Sequence, residues 1–337
     1  MIMVSVKDIA ARCNVSVATV SKALNGYSDI SKEKRDYINA VAKEMGYFPN
    51  AAAIALKTNR TYNIGILFLD AANNGLTNEH FARVLQGVKE EAESRGYDIT
   101  FINHHIGART MTYTEHCYYR GVDGVVIACI DFDEPEIIEL VNSKIPVVTI
   151  DHVFHNITSV ISDNVKGVRD LVLYAHSMGH RKIAFIHGDD SSVSRDRLAS
   201  FYRTLDELGL KVPESYVLVC PYRDAKTAAQ RTKQLLAQKD MPSCILYPDD
   251  FTAVSGISVI EQEGLHIPED ISVIGYDGNS YARAMEPALT TLAQDSEVLG
   301  RSAAKHLIQM IEKPKTALVE RVVVEGKVLA DRSVKKL

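Results

Sequence analysis

What this chain lacks excludes several classes of protein. Its five cysteines, at positions 13, 117, 129, 220 and 244, form no CxxC pair, and an odd, widely spaced set argues against a disulfide framework. No apolar stretch approaches membrane-spanning length, and the N-terminus reads as part of a folded head instead of a signal peptide. A cytoplasmic protein with no membrane partner is expected. The sequence holds no GxGxxG, no P-loop and no GxSxG, the loops that an enzyme on a doubly wound sheet would need, so no enzymatic activity is expected. His152 with His155, and His176 with His180, have a spacing that zinc could use, but Gly179 interrupts the second pair and no cysteine or third histidine joins either. Solvated or core histidines are the simpler account, and neither a metal nor a cofactor is expected.

A strong overall charge is lacking too, since the net charge is only −5. It is unevenly placed. Residues 1–60 hold nine basic and five acidic side chains, a balance of +4, which leaves −9 for the remainder. A positive field suited to phosphate is thus concentrated in the N-terminal segment, and the rest of the chain would not seek nucleic acid. With 337 residues there is room for a small head and two domains of ordinary size, each burying its own core.

Residues 5–60 read as a compact helical head. Ser5 with Asp8 three residues on is a capping box, and Ile9, Ala10 and Cys13 then recur at helical spacing. The first helix is expected from about Val6 to Asn14, a residue that tolerates the left-handed conformation of a helix end. Ser16 would cap a second helix with Val20 and Leu24 inward and Val17, Ala18, Ser21 and Lys22 outward. A short helix, a tight turn and a second helix with small and basic residues on its open face make a tool for the major groove. Val17 and Ala18 suit thymine methyls, Lys22 suits guanine acceptors, and Ser21 and Thr19 suit phosphates or bases. A small helical packing module with a solvated face is the competing account.

Past a third helix, Lys32 to about Met45, comes Asn50-Ala51-Ala52-Ala53-Ile54-Ala55-Leu56-Lys57. Asn50 can cap a helix there, but the run is well below the roughly 12–15 residues an isolated helix needs in water, so this hinge is expected to be largely unfolded when free. Two copies paired on DNA would gain most with Leu56 wedged between base steps of the minor groove and Lys57 at its floor or phosphates. A plain Ala-rich linker helix is the alternative.

These residues resemble the lactose/galactose repressor family. Val6, Val15-Ser16-Val17-Ala18-Thr19-Val20-Ser21, Asn25-Gly26, Gly46-Tyr47, Pro49-Asn50-Ala51 and Leu56 look like that family's head and hinge. The resemblance implies that Ser16, Val17, Ala18, Thr19, Ser21, Lys22, Asn25, Asn50, Ala53, Leu56 and Lys57 meet double-stranded DNA. Lys22 stands where the family more often has Arg, replacing a bidentate fork by a point charge. Ile54 stands where Arg or Gln is common, in place of a polar contact near the hinge.

From Asn63 onward short apolar β-rich runs alternate with helical patterns, as in parallel sheets with crossover helices. Strands are expected at Ile64 to Leu69, Ile99 to Asn103, Gly124 to Cys129, Val147 to Ile150, Lys182 to Ile186, Tyr216 to Val219, Cys244 to Tyr247 and Ser272 to Tyr276. Helices are expected at about Glu79 to Arg95, Glu134 to Ser143, Asn164 to Met178, Arg195 to Leu208, Asp250 to Glu263 and Glu297 to Ile311. The two βα runs break near Val160 to Asn164. Thr290 to Gln294 is expected to cross back to the first lobe, and Val319 to Val324 to return to the second. The expected organisation is an all-α helix-turn-helix head (1–49), a hinge helix and linker (50–61), and an α/β body of two doubly wound parallel-sheet lobes. Those lobes are 62–162 with about 292–318, and 163–291 with about 319–337.

Such lobes close around a small molecule in the crevice outside the carboxyl ends of their strands. Asp70, Asp151, Asp249 and Asp277 each follow an apolar strand run. A carboxylate accepts from two hydroxyls at once and an Arg fork donates to ring and hydroxyl oxygens, so the set suits a polyol such as a sugar. Capping of the next helix is the dull alternative, expected for Asp250 and open for Asp70. The resemblance extends through Asp163-Asn164, Gly179-His180-Arg181-Lys182-Ile183-Ala184, Arg197-Leu198, Pro268 to Asp277 and Pro287-Ala288-Leu289-Thr290-Thr291. It implies a periplasmic-binding-protein-like body in which Asp151, Arg197, Asp249 and Asp277 contact the effector. His80 and Phe81 lie where the family contacts its effector, with helix packing the competing account. Asp249-Asp250 replaces the family's usual Asn-Asp, exchanging an amide donor for a pure acceptor, and Ser200 replaces a usual Gly, read as a packing change.

The expectation is a transcription regulator, most simply a repressor, whose homodimer reads a pseudo-palindromic operator and answers to a small carbohydrate-like effector. A sugar-binding transport protein would share the lobes but have no use for residues 1–60. No heptad segment follows Arg332, so a dimer is the default.

Overall fold

Three short amphipathic helices make the head because none can bury its apolar stripe alone. In the computed structural model, which describes residues 4–49, 51–69 and 75–337, α1 (Val6–Cys13), α2 (Val17–Leu24) and α3 (Lys32–Glu44) close around Ile9, Ala10, Cys13, Val20, Ala23, Ile38, Val41 and Ala42. Ala23 takes the fully buried place on α2, while Leu24, expected inward beside Val20, is only partly covered. A fourth helix, α4 (Ala51–Thr58), follows. The head and hinge form one unit, Met1–Thr61, and Tyr62–Leu337 forms a second.

The second unit holds two six-stranded sheets. The chain first runs through β1 (Asn63–Phe68), α5 (Glu79–Ser94), β2 (Asp98–Phe101), a small separate hairpin of β3 (His105–Ile106) and β4 (Arg109–Thr110), α6 (Tyr113–Arg120), β5 (Gly124–Ala128), α7 (Pro135–Val141), β6 (Val147–Ile150) and β7 (Thr158–Ser162). The chain then runs through α8 (Asn164–Ser177), β8 (Ile183–His187), α9 (Ser192–Glu207), β9 (Val217–Val219), α10 (Ala225–Leu236), β10 (Cys244–Leu246), α11 (Asp250–Gln262), β11 (Ser272–Asp277), α12 (Ser280–Arg283) and β12 (Thr290–Ala293). It ends with α13 (Ser296–Glu312), β13 (Arg321–Val324) and β14 (Lys327–Leu329).

Strand order is β13-β7-β6-β5-β1-β2 in the first sheet and β14-β12-β11-β10-β8-β9 in the second. All pairs are parallel except β14 with β12. Helices cover both faces, which is why β5 and β6 are buried along their whole length and read as continuous apolar runs. In the first lobe α5 and α13 cover one face and α6 and α7 the other. In the second, α8 and α9 oppose α10 and α11. Helices α5 and α13 approach so closely that a Cβ on Gly300 would lie 1.8 Å from the Val84 carbonyl oxygen, and one on Gly87 would lie 2.0 Å from that of Glu297.

Two strand placements differ from expectation. β12 pairs with β11, so Thr290 to Ala293 stays in the second sheet and the chain crosses just after it; β13 pairs with β7, so Val319 to Val324 does not return to the second lobe. Both runs are short and β-branched, which fits either sheet, and side-chain partners decide. Thr291 Oγ1 donates to Asp250 Oδ1 at 2.6 Å and Thr290 Oγ1 to the Asp331 carbonyl at 3.0 Å, both within the second lobe. The break expected between the two βα runs near Val160 to Asn164 falls between β7, itself a buried strand of the first sheet, and α8. The remaining strands and helices fall within a few residues of expectation, with α6, α10, α12, β14 and the hairpin in addition.

The chain passes between the lobes three times, from β7 to α8, β12 to α13 and β13 to β14. The passages run side by side: Asp163 N donates to the Val324 carbonyl at 2.9 Å, and a Cβ on Gly326 would lie 2.9 Å from that of Ala293.

Candidate nucleic-acid interface and ligand crevice

The second helix of the head is set by its caps. Ser5 and Asp8 form the reciprocal capping box of α1, with Ser5 N donating to Asp8 Oδ2 at 2.8 Å. Asn14 ends the helix in the left-handed region, φ 52°. Ser16 Oγ then accepts from Thr19 N at 3.1 Å and starts α2. On α2, Val17, Ala18 and Lys22 are exposed, and Thr19 and Ser21 are half-buried. Asn25 turns its amide back to the Ser21 carbonyl at 2.6 Å, so in this structure it fixes the turn. Lys22 is ion-paired with Asp29.

The hinge is helical here, where a segment so short was expected to lack a helix when free. Thr58 Oγ1 donates to the Ile54 carbonyl at 2.9 Å near its end. Leu56 is 90% exposed, so burial of this side chain does nothing to hold the helix. Asn50 lies outside the described residues, as do the side chains of Ala53 and Lys57.

In the second unit the strand ends converge. Asp151 follows β6 in the left-handed region, φ 58°. Its Oδ1 accepts from Ser162 N at 2.7 Å, and its carbonyl accepts from Ser192 Oγ of the other lobe at 3.1 Å. Arg197, on α9, is 5% exposed. Its Nε donates to Asn164 Oδ1 at 2.8 Å and its Nη1 to the Pro248 carbonyl at 2.9 Å, and the guanidinium carbon lies 3.5 Å from the centroid of the Tyr276 ring. Asp277 ends β11 at φ 110°, a costly conformation for a residue with a Cβ, and its Oδ1 accepts from Gln294 Nε2 at 2.7 Å.

The Asp249-Asp250 pair divides its labour the other way from expectation. Asp249, not Asp250, caps α11: Oδ1 accepts from Thr252 N at 2.8 Å and Oδ2 from Arg223 N at 2.9 Å. Asp250 is fully buried, and its Oδ2 accepts from Asn279 N at 2.7 Å while Oδ1 holds Thr291, which ties the loop after β11 to β12. The extended backbone of Asp249, φ −154° and ψ 164°, places it before the first turn, where a cap must sit. Burial, and then the Asp277 charge, push the Asp249 carboxyl up to about 6 and hold that of Asp250 well above its ordinary range.

Residues 5–50 match the family model described as bacterial regulatory proteins, lacI family, and residues 172–333 match the periplasmic binding protein-like domain. The HTH-type transcriptional repressor PurR of Escherichia coli O139:H28 is 30% identical over 339 residues, covering 98% of each chain. The chain belongs to the lacI family. Among solved structures, the Lac repressor bound to ONPG in its repressed state superposes with a TM-score of 0.81 at 24% identity, covering 99% of this chain and 100% of that one. A complex of the transcriptional regulator CelR with cellobiose superposes with a TM-score of 0.71 at 24% identity, covering 98% and 99%. This lacI-family chain is a DNA-binding transcriptional repressor by that relationship, its head followed by two periplasmic-binding-protein-like lobes.

Within the lacI-family body, Asp151, Arg197, Asp249 and Asp277 come close enough to act on one another's charge. Arg197 sits in the field of both Asp277 and Asp151, and Asp249 in that of Asp277. Phe81 does not join them as a ligand surface: it is 1% exposed and stacked on Phe68, ring centroids 3.2 Å apart, in the core of the first lobe. Helix packing claims it because Phe81 lies on the buried face of α5 with Val84 and Val88. His80 is half-buried with Nδ1 2.8 Å from Ser296 Oγ. Asp70 lies outside the described residues. Ser200 Oγ donates to the Val165 carbonyl at 2.5 Å, joining α9 to α8 as a packing residue.

Sequence reasoning missed Tyr222, whose hydroxyl is 3.0 Å from Ser194 Oγ, and Arg223, whose guanidinium lies 4.7 Å from the Phe251 ring centroid. It also missed Glu79, whose carboxylate accepts from Ser280 N and Oγ across the crevice at 3.0–3.1 Å. The position of Glu79 at the first turn of α5 was the available signal. Arg223 Nε and Gln294 Oε1 are buried without a hydrogen-bond partner, and each such group costs about 1–3 kcal/mol.

Proposed function

We propose that this lacI-family repressor binds a pseudo-palindromic operator as a homodimer in the bacterial cytoplasm and changes its operator affinity when a carbohydrate occupies the crevice. The observation that carries the ligand class is the cluster of Asp249, Asp277 and Arg197, with Arg223 Nε and Gln294 Oε1 unpaired beside it. Acceptors and donors so interleaved match the alternating roles of adjacent hydroxyls, and a polyol would satisfy groups that the protein leaves unpaired. The solved CelR complex holds cellobiose, a polyol of this kind.

The DNA-reading assignment places Ser16, Val17, Ala18, Thr19, Ser21, Lys22 and Asn25 in the major groove, with Asn50, Ala53, Leu56 and Lys57 at the minor groove. Head, hinge and lobes are taken as 1–49, 50–61, and a body whose first lobe includes α13 and β13. The cytoplasmic assignment rests on the DNA target. Among the described residues no helix is long and apolar enough to cross a membrane.

Thermal-shift screening of the full chain against a panel of sugars and nucleosides tests the ligand class, because a bound ligand raises the melting temperature by mass action. A shift with one sugar supports the proposal. Shifts confined to nucleosides would reject the carbohydrate and keep the crevice as the site.

A further inference from the structure

Lys22 is not a free charge in this head. Its Nζ is ion-paired with Oδ2 of Asp29, which lies in the turn between α2 and α3. Both side chains are 51% exposed, and a pair so placed adds little to stability. Its consequence is orientation. The turn is tied to the helix that carries Lys22: Tyr27 N donates to the Lys22 carbonyl at 3.1 Å, and Asn25 holds the Ser21 carbonyl. Ile30, next to Asp29, packs on the head's core. Wherever α2 docks, the Asp29 carboxylate therefore arrives with it.

A lysine is a compact charge on a flexible stem, and alone it gains from a phosphate nearly what it gains from a guanine. A neighbouring carboxylate alters that balance. It draws Nζ to one position, repels phosphate oxygens, and has lone pairs left to accept from an exocyclic amine such as N4 of cytosine.

We infer that Asp29 is a specificity-determining residue of this head: with Lys22 it forms a donor and acceptor pair that selects a G·C base pair in the major groove and disfavours other sites. The inference deepens the assignment of Lys22 to a base edge and rests on it. The pairing also replaces part of the directionality that a guanidinium fork would have supplied.

The test uses the full chain. A consensus duplex is first selected by the wild-type protein from a randomised double-stranded pool. Binding of wild type, K22A, D29N, D29E and the K22A/D29N double variant is then measured at one salt concentration on that duplex, on its single-base variants and on a scrambled duplex of the same composition. K22A and D29N should relax preference at the same G·C pair, by about 5- to 100-fold, and the double variant should lose no more preference than either alone. D29N should bind the scrambled duplex several-fold more tightly than wild type, since a repulsive charge is gone. A misfolded head would bind both duplexes less, so this readout also reports folding. D29E keeps the charge one methylene further out, and should retain weak binding to the scrambled duplex while losing part of the base preference. If K22A relaxes the preference and D29N does not, Asp29 has no such role and the Lys22 assignment stands. If K22A leaves the preference unchanged, both fall together.

Discussion

Replacing Arg197 should damage stability and ligand response in separable ways. Arg197→Ala deletes two charge-assisted hydrogen bonds, to Asn164 Oδ1 and the Pro248 carbonyl, and the stacking on Tyr276. It also leaves Asp277 and Asp151 without the buried cation in whose field they sit. Removing one partner from such a buried network costs about 3–5 kcal/mol, against a total domain stability of about 5–15 kcal/mol. The alanine variant is therefore expected to be near the limit of folding. Arg197→Met keeps much of the volume and Arg197→Lys keeps the charge without the fork, and these carry the test. If a ligand hydroxyl accepts from the guanidinium, the lost bond of about 1.5–3 kcal/mol corresponds to a fall in affinity of roughly 10- to 150-fold. Guanidinium denaturation of the body, followed by circular dichroism, reads the first effect. Calorimetric titration with the sugar found by screening reads the second. The lysine variant should fold, bind operator with wild-type strength and lose most of the ligand affinity. Undiminished ligand binding by both Arg197→Met and Arg197→Lys would remove Arg197 from the site.

Three further outcomes are expected. Leu56→Ala should lower operator affinity and operator bending while leaving ligand binding to the free chain unchanged, because it removes only the minor-groove wedge; amide exchange across residues 51–57 should show strong protection only with DNA bound, and equal protection without DNA would mean a preformed hinge. Gly300→Ala should destabilise the body by about 1–3 kcal/mol in chemical denaturation, since its Cβ would lie 1.8 Å from the Val84 carbonyl oxygen and overpacking outweighs the gain in helix propensity; an unchanged midpoint would show that α5 and α13 separate freely. Ligand affinity should rise with pH through about 6, because the folded Asp249 carboxyl sits near 6 and donation by a hydroxyl favours its ionised form. The same raised value means that this group's own contribution to stability falls between about pH 4 and 6, as the unfolded chain ionises first. Titrations at pH 5 and 7.5 check the first sign, and Asp249→Asn should flatten the profile.

The head was legible almost residue by residue because its signals are local. A capping box, a left-handed asparagine and a capping serine each act within four residues, and all three appear where the sequence places them. The βα alternation was legible for the same reason. What escaped depends on distant partners. Nothing in Thr290-Thr291-Leu292 says which sheet it joins; the side-chain bonds to Asp250 and Asp331 do. Asp249 and Asp250 differ by one place in the chain, and only the turn entering α11 decides which caps it. Phe81 read equally well as ligand contact or core, and its stack on Phe68 settled the matter. The Arg197 and Tyr276 contact joins a helix and a strand nearly 80 positions apart, a proximity that no periodicity encodes.

The three adjacent passages between the lobes limit how the body can move. A single tether would let one lobe swing and twist freely, and two would still permit shear along their common line. Three, laced by the bond from Asp163 to Val324 and the close approach of Gly326 to Ala293, leave mainly one rotation, as the pins of a door do. Under the proposed function, whatever occupies the crevice would be translated into a single angle. Ligands of different shape that produce the same angle are equivalent signals, and one that fills the crevice without changing the angle is silent however tightly it binds.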